Sequence, residues 1–309
     1  MEERTPILVN ALDLAALAIT ALIGRLPWRL ATSLGAGAGR LAGLLVLRKK
    51  KVMVDNLERA GAPDPDGAYW SAWANTGRTV FEMLWATGRT PEQAIARTRM
   101  EGLESFDDAL AGGRGVLLAS GHLADWELGV LSVALAGHKV AVIARPLRFK
   151  RLERRLIDFR ERGGIRTLVR GRGTALAAFR WLSRGGVLGC LMDRVSTSVD
   201  RIRVPFLGRG MNVPLGPAEL ACRAGSAVVF GVAIRCHNGM TGGGFRRLET
   251  SPGDGAEKIA LLVGEALESA VRARPDQWYW IYRRQPGWDG TPVISYASTT
   301  GNRAPAAGK

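Results

Sequence analysis

The chain has 309 residues, 47% of them hydrophobic, so it can bury a full core and needs neither disulfides nor a metal ion to fold. Its three cysteines are odd in number and show no C-x-x-C spacing, which argues against a disulfide framework and favours a reducing, cytoplasmic environment. The formal net charge of +15 favours anionic partners such as lipid headgroups, acidic carrier proteins or nucleic acid.

The chain opens with two apolar runs, residues 7–24 and 31–47, and the second leads into the basic cluster Arg48-Lys-Lys-Lys51. Asp13 interrupts the first run and Arg40 the second, and a charge near the bilayer centre costs roughly 2.5–3.5 kcal/mol on insertion scales. We therefore predict contact with an anionic membrane surface, either peripheral or through a single pass. The alternative is that both runs are ordinary helices buried against the domain.

After a turn-rich stretch at 61–67, a mostly apolar helix is predicted at 68–88. Short apolar runs, typical of strands buried on both faces, occur at 115–119, 140–144, 187–192 and 227–234. Helical segments are predicted at 126–137, 150–162, 172–184, 215–224 and 256–273. This alternation predicts an α/β fold with a central sheet flanked by helices, in which ligands bind beyond the carboxyl ends of the strands.

Changes in composition divide the chain into three parts. Residues 1–60 form an apolar and basic membrane-associating segment, residues 61–285 the α/β domain, and residues 286–309 a tail without a packing pattern, which predicts disorder. Near the end of the domain, Trp278 and Trp280 lie in an alternating stretch typical of a strand with one buried face. Core packing of these two tryptophans is therefore favoured over a place at the membrane interface.

His122 follows the first predicted strand by three residues, and two acids, Asp125 and Glu127, come shortly after it. A histidine titrates near neutrality, and a carboxylate partner can fix its tautomer and raise its basicity, as a general base requires. Asp125 is well placed as the N-cap of the next helix, and Glu127 falls in the first turn of that helix. From spacing alone the two acids are rival partners for the imidazole, and a lone histidine at a helix start is more often structural.

The stretch Gly121-His-Leu-Ala-Asp-Trp-Glu127 resembles the H-x4-D/E signature of acyltransferases. It is most similar to the G-H-F-G-N-W-E form of the bacterial lipid A biosynthesis acyltransferases, which belong to the lysophospholipid acyltransferase superfamily. Further blocks that resemble this family follow in its order, from about residue 25 to 285. They are Asn56-Leu57, Arg145-Pro-Leu147, Asp193-Arg194, residues 204–225, and Pro275-Asp-Gln-Trp-Tyr-Trp280 with Arg283-Arg284.

The resemblance implies a mixed sheet of the glycerolipid acyltransferase type, with no metal and no resident cofactor. It implies transfer of a fatty acyl group from a thioester, on acyl carrier protein or coenzyme A, to a hydroxyl of a membrane lipid at the cytoplasmic face of the inner membrane. A lipid A precursor is the expected acceptor, and a phosphatidylinositol mannoside or a lysolipid is the alternative.

The same resemblance assigns roles to individual residues. His122 is the expected base, and Glu127 the acid that orients it. Arg145 is the candidate cation for the developing oxyanion. Asp193 is expected to hold Arg145 or to position the acceptor, with a buried structural ion pair as the alternative.

A dense basic run follows the second predicted strand. It is expected to bind an acidic carrier protein or a phosphorylated glycolipid, with a merely solvated face as the alternative. The candidate substrate-binding residues are Arg148, Arg151, Arg154 and Arg194. A non-catalytic binder of nucleic acid or of an anionic surface is the rival interpretation of the charge, but no recognisable nucleic-acid module is present. A hydrolase is disfavoured because Ser120 lacks a G-x-S-x-G context.

Overall fold

The computed structural model of the protein describes residues 4–194, 200–251 and 253–280. The helices are α1 Arg4–Ile23, α2 Trp28–Leu45, α3 Lys50–Arg59, α4 Pro65–Ala86, α5 Pro91–Ile95, α6 Glu104–Leu110, α7 Trp126–Leu135, α8 Lys150–Arg162, α9 Thr174–Ser183, α10 Gly216–Ala224 and α11 Ala256–Ala273. The strands are β1 Thr98–Glu101, β2 Val116–Ser120, β3 Val140–Ala144, β4 Ile165–Val169, β5 Val187–Leu191, β6 Arg201–Phe206, β7 Arg209–Pro214, β8 Ala227–Arg235 and β9 Thr241–Arg247. Short 3₁₀ turns lie at Leu47–Lys49 and Pro275–Gln277.

In the described part of the chain, seven strands form one mixed sheet in the order β1-β9-β8-β2-β5-β3-β4. Neighbouring strands are parallel except β8 and β9, which pair antiparallel. β6 and β7 form a separate antiparallel pair. The predicted mixed α/β sheet is confirmed, and the four apolar runs are the strands β2, β3, β5 and β8.

The strands that lack a continuous apolar run are not predicted by the sequence pattern. β4 is an edge strand on which Arg166 and Val169 are exposed while Ile165 and Leu168 are buried. β9 carries three consecutive glycines at 242–244 and is held by its pairing with both β1 and β8. Such strands depend on neighbouring strands and not on their own propensity, so a pattern of apolar residues does not reveal them.

Alternate residues of the central strand β2 enter two different hydrophobic cores. Leu117 and Ala119 pack with residues of α9, α10, α11 and the β6–β7 pair. Val116 and Leu118 pack with residues of α7 and with Phe159 of α8. Both faces of β2 are therefore covered. The loop that contains His122 begins where β2 ends, at Ser120, and so lies at the carboxyl edge of the sheet.

α2 packs closely on α4 through glycines and exposes its leucines. A Cβ atom on Gly39 would overlap the carbonyl oxygen of Trp73, and one on Gly77 would overlap the carbonyl oxygen of Gly35. The opposite face of α2 exposes Leu30, Leu34, Leu41, Leu44 and Leu45. Among the described helices none is by itself long and apolar enough to cross a membrane, although α2 and α3 meet the length and composition criteria as a pair bent by 116°.

The closing segment is folded differently from the predicted strand. After the 3₁₀ turn Pro275–Gln277, Trp278 makes a single antiparallel bridge to Leu123 instead of entering a sheet. Trp278 and Trp280 are only 6% and 5% exposed, which confirms core packing over a membrane interface. Arg283, Arg284 and the predicted tail at 286–309 lie outside the described residues.

Candidate active site

The loop between β2 and α7 is fixed by the closing segment. The backbone N–H of Tyr279 donates to the His122 carbonyl at 3.0 Å, and the N–H of Ala124 donates to the Gln277 carbonyl at 3.1 Å. Ala124 has a φ of 36°, a left-handed backbone conformation that a non-glycine residue keeps only when its surroundings enforce it. The loop is therefore held by the closing segment on both sides of Leu123.

Asp193, just beyond the end of β5, holds the imidazole of His122. Its Oδ1 lies 2.7 Å from Nδ1 of His122, while its Oδ2 accepts the His122 backbone N–H at 2.7 Å and the Trp278 indole N–H at 2.7 Å. Gly121 leaves room here, because a Cβ at that position would lie 2.5 Å from Cδ1 of Leu267 and 3.2 Å from Asp193 Oδ2. With the proton of the neutral ring directed to Asp193 at Nδ1, the basic lone pair is at Nε2.

The carboxyl group of Asp193 is kept ionised although it is buried. Burial alone raises its pKa, but attraction to the His122 ring in its protonated form and the hydrogen bonds from His122 and Trp278 outweigh this and lower the pKa below its usual value. An ionised Asp193 is the orienting carboxylate that a histidine base requires. The sequence predicts Asp193 as a partner of Arg145 or of the acceptor, whereas the structure pairs it with His122.

Glu127 is not the residue that orients His122. Its carboxylate pairs with Arg160 of α8, with Nε–Oε2 and Nη2–Oε1 distances of 3.0 and 2.5 Å, and both side chains are largely buried. Burial raises the pKa of Glu127, but the charge of the Arg160 guanidinium and its hydrogen bonds to the carboxylate bring it below its usual value. The expected Glu127–His122 pair is thus corrected to two separate pairs, because Asp193 occupies Nδ1 and the first turn of α7 directs Glu127 to α8.

Asp125 stands at the N-cap position of α7, as predicted, but its side chain makes no capping hydrogen bond. The carboxylate instead accepts hydrogen bonds from Arg235 Nη2 at 3.2 and 3.1 Å and from Thr241 Oγ1 at 2.8 Å. The capping role predicted from residue type is therefore wrong. A buried guanidinium competes successfully with the backbone amides of the helix, because it offers the carboxylate a charged donor.

A cavity of about 740 Å³ opens beside His122 and runs between α7 and the sheet. Its deep part is apolar, lined among others by Met100, Leu118, Val130, Val232 and Phe245. Glycines keep it open: a Cβ on Gly189 would lie 3.1 Å from Cγ1 of Val142. An apolar cavity with a few polar groups at one point is the usual form of a small-molecule site.

The structure separates the predicted arginines into two groups. Arg145 and Arg194 line the same cavity as His122, together with Arg170, which the sequence analysis missed because it follows the undetected strand β4. Arg148 and Arg154 are exposed on or before α8, away from the cavity lining. Arg151 contacts the buried Asp13 of α1, with a distance of 3.4 Å between Nη1 and Oδ2.

The contacts of Asp13 explain why a charged residue interrupts the first apolar run. Its carboxylate accepts the backbone N–H groups of Arg151 at 3.0–3.2 Å and of Leu152 at 3.4 Å, so it caps the N-terminus of α8 from a neighbouring helix. Burial raises its pKa, but these hydrogen bonds and the charge of Arg151 lower it overall. No group of three or more histidine, cysteine, aspartate or glutamate residues in the described ranges is arranged to hold a metal ion.

The sequence profile of the family described as bacterial lipid A biosynthesis acyltransferase matches residues 2–285. The chain is 28% identical over 256 residues to a phosphatidylinositol mannoside acyltransferase of Mycobacterium tuberculosis strain H37Rv, covering 78% of this chain and 76% of the relative. It is 26% identical over 298 residues to the protein of that name in Mycolicibacterium smegmatis, covering 92% and 94% of the two chains. It is also 26% identical over 276 residues to the lipid A biosynthesis lauroyltransferase of Escherichia coli K12, covering 85% and 87%.

These matches agree with the site. A histidine oriented by a carboxylate at the mouth of an apolar cavity is chemistry suited to acyl transfer to a hydroxyl. The family match spans both the loop that carries His122 and the closing segment through residue 285. The chain is therefore an O-acyltransferase that belongs to the bacterial lipid A biosynthesis acyltransferase family.

Proposed function

We propose that the protein moves a fatty acyl group from a thioester to a sugar or inositol hydroxyl of a membrane glycolipid. The observation that carries this proposal is the 2.7 Å contact between His122 Nδ1 and Asp193 at the mouth of the 740 Å³ cavity. Nε2 of His122 takes the proton of the acceptor hydroxyl, and the new alkoxide attacks the thioester carbonyl carbon. When the tetrahedral intermediate collapses, the carbon–sulfur bond breaks and the imidazolium returns its proton to the leaving thiolate.

Two cations that line the cavity are proposed to stabilise the oxyanion of the tetrahedral intermediate. Arg145 and Arg194 line the cavity with His122, and a cation beside a developing oxyanion typically contributes about 10²- to 10³-fold in rate. Arg170 lies at the same mouth and suits an anionic headgroup. Relatives named for phosphatidylinositol mannosides and for lipid A suggest two acceptors, both glycolipids, and the mannoside is the first to test because it belongs to the relative with 28% identity.

The acceptor can be identified by mass spectrometry of total lipids from cells with and without the gene. We expect one glycolipid class to lose the mass of one acyl chain when the gene is deleted, and wild-type protein but not His122→Ala to restore it. Loss of an acyl chain from a mannosylated phosphoinositide and loss from a lipid A precursor distinguish the two acceptors. Unchanged acylation of every glycolipid would contradict the proposed function.

The apolar depth of the cavity is proposed to hold the acyl chain, which makes Gly129 of α7 a sensitive position. A Cβ there would lie 3.4 Å from the Cβ of Ala233, so alanine fits, whereas the longer side chain of Gly129→Leu would project into the cavity. We expect Gly129→Leu to lower kcat/KM for the longest accepted chain by at least about 10-fold, since one methylene in an apolar pocket is worth roughly that much. Gly129→Ala is the matched control, and an equal loss with short and long thioesters would show that the chain does not reach Gly129.

The exposed arginines before and on α8 are proposed to attract the donor. In the described part of the chain, Arg148 and Arg154 make no ion pair, whereas Arg151 is held by Asp13. We expect the double reversal Arg148→Glu/Arg154→Glu to raise KM for an acyl carrier protein substrate and to leave KM for acyl-coenzyme A less affected, because rim charges act mainly on association. Arg180→Glu, on the exposed surface of α9, is the control. An unchanged KM for the carrier substrate would remove this surface from the donor site.

The exposed leucines of α2 are proposed to rest on the membrane, next to the basic residues that begin α3. Leu34, Leu41 and Leu44 are each about half exposed, at 48%, 59% and 51%. Their replacement by serine removes apolar surface without touching the glycines that pack on α4, so binding to vesicles with anionic lipids should weaken by several fold while the thermal unfolding temperature stays within about 2 °C. Wild-type sedimentation with vesicles by this triple variant would exclude the leucine face as the membrane contact.

A further inference from the structure

Three ionisable side chains lie buried behind the His122 loop and take no part in the chemistry described above. Glu82 of α4, Asp125 of the loop and Arg235 at the end of β8 are 4%, 4% and 7% exposed. Burying ionised groups is costly unless they pair, so such a cluster needs a reason. Asp125 lies three residues after His122 in the chain, so the cluster is placed to hold the loop that carries His122.

Arg235 binds both acids through a single nitrogen. Its Nη2 contacts Glu82 and lies 3.2 and 3.1 Å from the two oxygens of Asp125. Within the described residues, Nε and Nη1 of Arg235 have no hydrogen-bond partner. The cation therefore depends on these two carboxylates.

The backbone of Arg235 is tied to the same loop by a second route. Gln277 accepts the Arg235 N–H at 2.7 Å through Oε1 and donates to the Arg235 carbonyl at 2.8 Å through Nε2. The carbonyl of Gln277 in turn accepts the N–H of Ala124 at 3.1 Å. The loop that carries His122 is thus connected to Arg235 through Asp125 on one side and through Gln277 on the other.

We propose that Arg235 is a positioning residue for His122, that Glu82 and Asp125 anchor it, and that the two acids together hold one negative charge and one proton. The proposal rests on the proposed acyl transfer for its kinetic readout. Two carboxylates that share one guanidinium nitrogen in a site without solvent repel each other when both are ionised. The protonated acid donates a hydrogen bond to the ionised one, and the pair then matches the single charge of Arg235.

The electrostatic surroundings support this proton count. Burial and the neighbouring charge of Asp125 raise the pKa of Glu82 well above its usual value, and Arg235 opposes the shift only in part. Two other charged groups face the cluster. Arg78 lies one turn before Glu82 on α4, and the negative charge of Asp276 raises the pKa of Arg235. Glu82 is accordingly the acid that carries the proton.

A cycle of amide variants tests the cluster. In Glu82→Gln the amide donates to Asp125 as the protonated acid does, and in Asp125→Asn the amide donates to an ionised Glu82, so each single variant keeps one charge for Arg235. We expect kcat of either to stay within about threefold of wild type, whereas the double variant Glu82→Gln/Asp125→Asn leaves the cation without a counterion and loses about 10²-fold. Glu268→Gln, which removes an exposed partner of Arg272, is the control.

The measurements distinguish a positioning role of Arg235 from a purely structural role, and they also distinguish failure of this proposal from failure of the proposed acyl transfer. A positioning role predicts that the double variant loses kcat at a temperature where it is fully folded, with KM for the thioester unchanged. Loss of unfolding temperature alone, with kcat retained, would overturn the proposal, as would additive losses from the two single variants. Nitrogen NMR of the His122 ring reports the Nδ1–Asp193 bond without any turnover. Persistence of that signal in the double variant would refute the positioning role even if no acyl transfer were detected in the wild type.

Discussion

Asp193→Asn will lower kcat of acyl transfer by about 10³- to 10⁴-fold, close to the loss caused by His122→Ala. Asparagine can present its amide N–H to Nδ1 of His122, which forces the ring proton to Nε2 and removes the lone pair that takes the hydroxyl proton. In serine proteases, amide replacement of the carboxylate behind the catalytic histidine costs about 10⁴-fold in kcat. The measurement is transfer of a labelled acyl group from a thioester to extracted lipid. Retained folding is checked by thermal unfolding, because Asp193 also accepts the Trp278 indole N–H.

Glu127→Gln is the informative comparison for this prediction. Glu127 pairs with Arg160 and not with Nδ1 of His122, so its amide variant should lose less activity than Asp193→Asn. A larger loss with Glu127→Gln than with Asp193→Asn would restore Glu127 to the orienting role that its place in the H-x4-E motif suggests. Equal activity of wild type and Asp193→Asn would instead remove Asp193 from the mechanism.

The sequence was sufficient to locate the loop that carries His122, because the signals for it are local. An apolar run at 115–119, the His122 motif and a helical segment at 126–137 correspond to β2, the loop and α7. Each of these depends on residues within a few positions of one another. The α/β sheet followed from the alternation of buried strands and helices, and the family resemblance implied that the sheet is mixed.

The partners of the acids could not be predicted in the same way, because they come from distant parts of the chain. Asp193 is 71 residues from His122, Arg160 is 33 residues from Glu127, and Arg235 is 110 residues from Asp125. Residue type made Asp125 a good cap and Glu127 a good orienting acid. In the structure each carboxylate instead binds a buried guanidinium from another element. The structure shows that α8 and β8 bring those guanidinium groups to the loop.

Asp13 of α1 is a second charged residue whose partner, α8, is distant in the chain and could not be predicted from the sequence. In the sequence it is a charged interruption that argues against a membrane span. In the structure it is the cap of α8, the helix whose residues Leu156, Ile157 and Arg160 line the cavity. A charge in an apolar helix can therefore serve a neighbouring element, which neither periodicity nor composition indicates.

Arg160→Met will destabilise the protein by about 3–5 kcal/mol, because it leaves the carboxylate of Glu127 buried without its counterion. The side chains of Arg160 and Glu127 are 12% and 14% exposed, so solvent compensates little. The double variant Arg160→Met/Glu127→Leu removes both charges, and we expect it to recover most of the stability, since an apolar pair of similar volume often replaces a buried ion pair at no net cost. The measurement is the free energy of unfolding from urea denaturation at neutral pH.

The pH dependence of stability gives an independent check on this pair. The pKa of Glu127 is lower in the folded protein than in the unfolded chain, so the folded state gains stability from its ionisation. That contribution is complete above about pH 5, where an unfolded glutamate is ionised, and is lost as the pH falls through the lower pKa of the folded state. The stability difference between wild type and Glu127→Gln should therefore be constant from pH 5 to 8 and shrink below pH 4. A difference that grows on acidification would mean that Glu127 is held in its protonated form, and the Arg160 pair would then not be the interaction that stabilises this wall of the cavity.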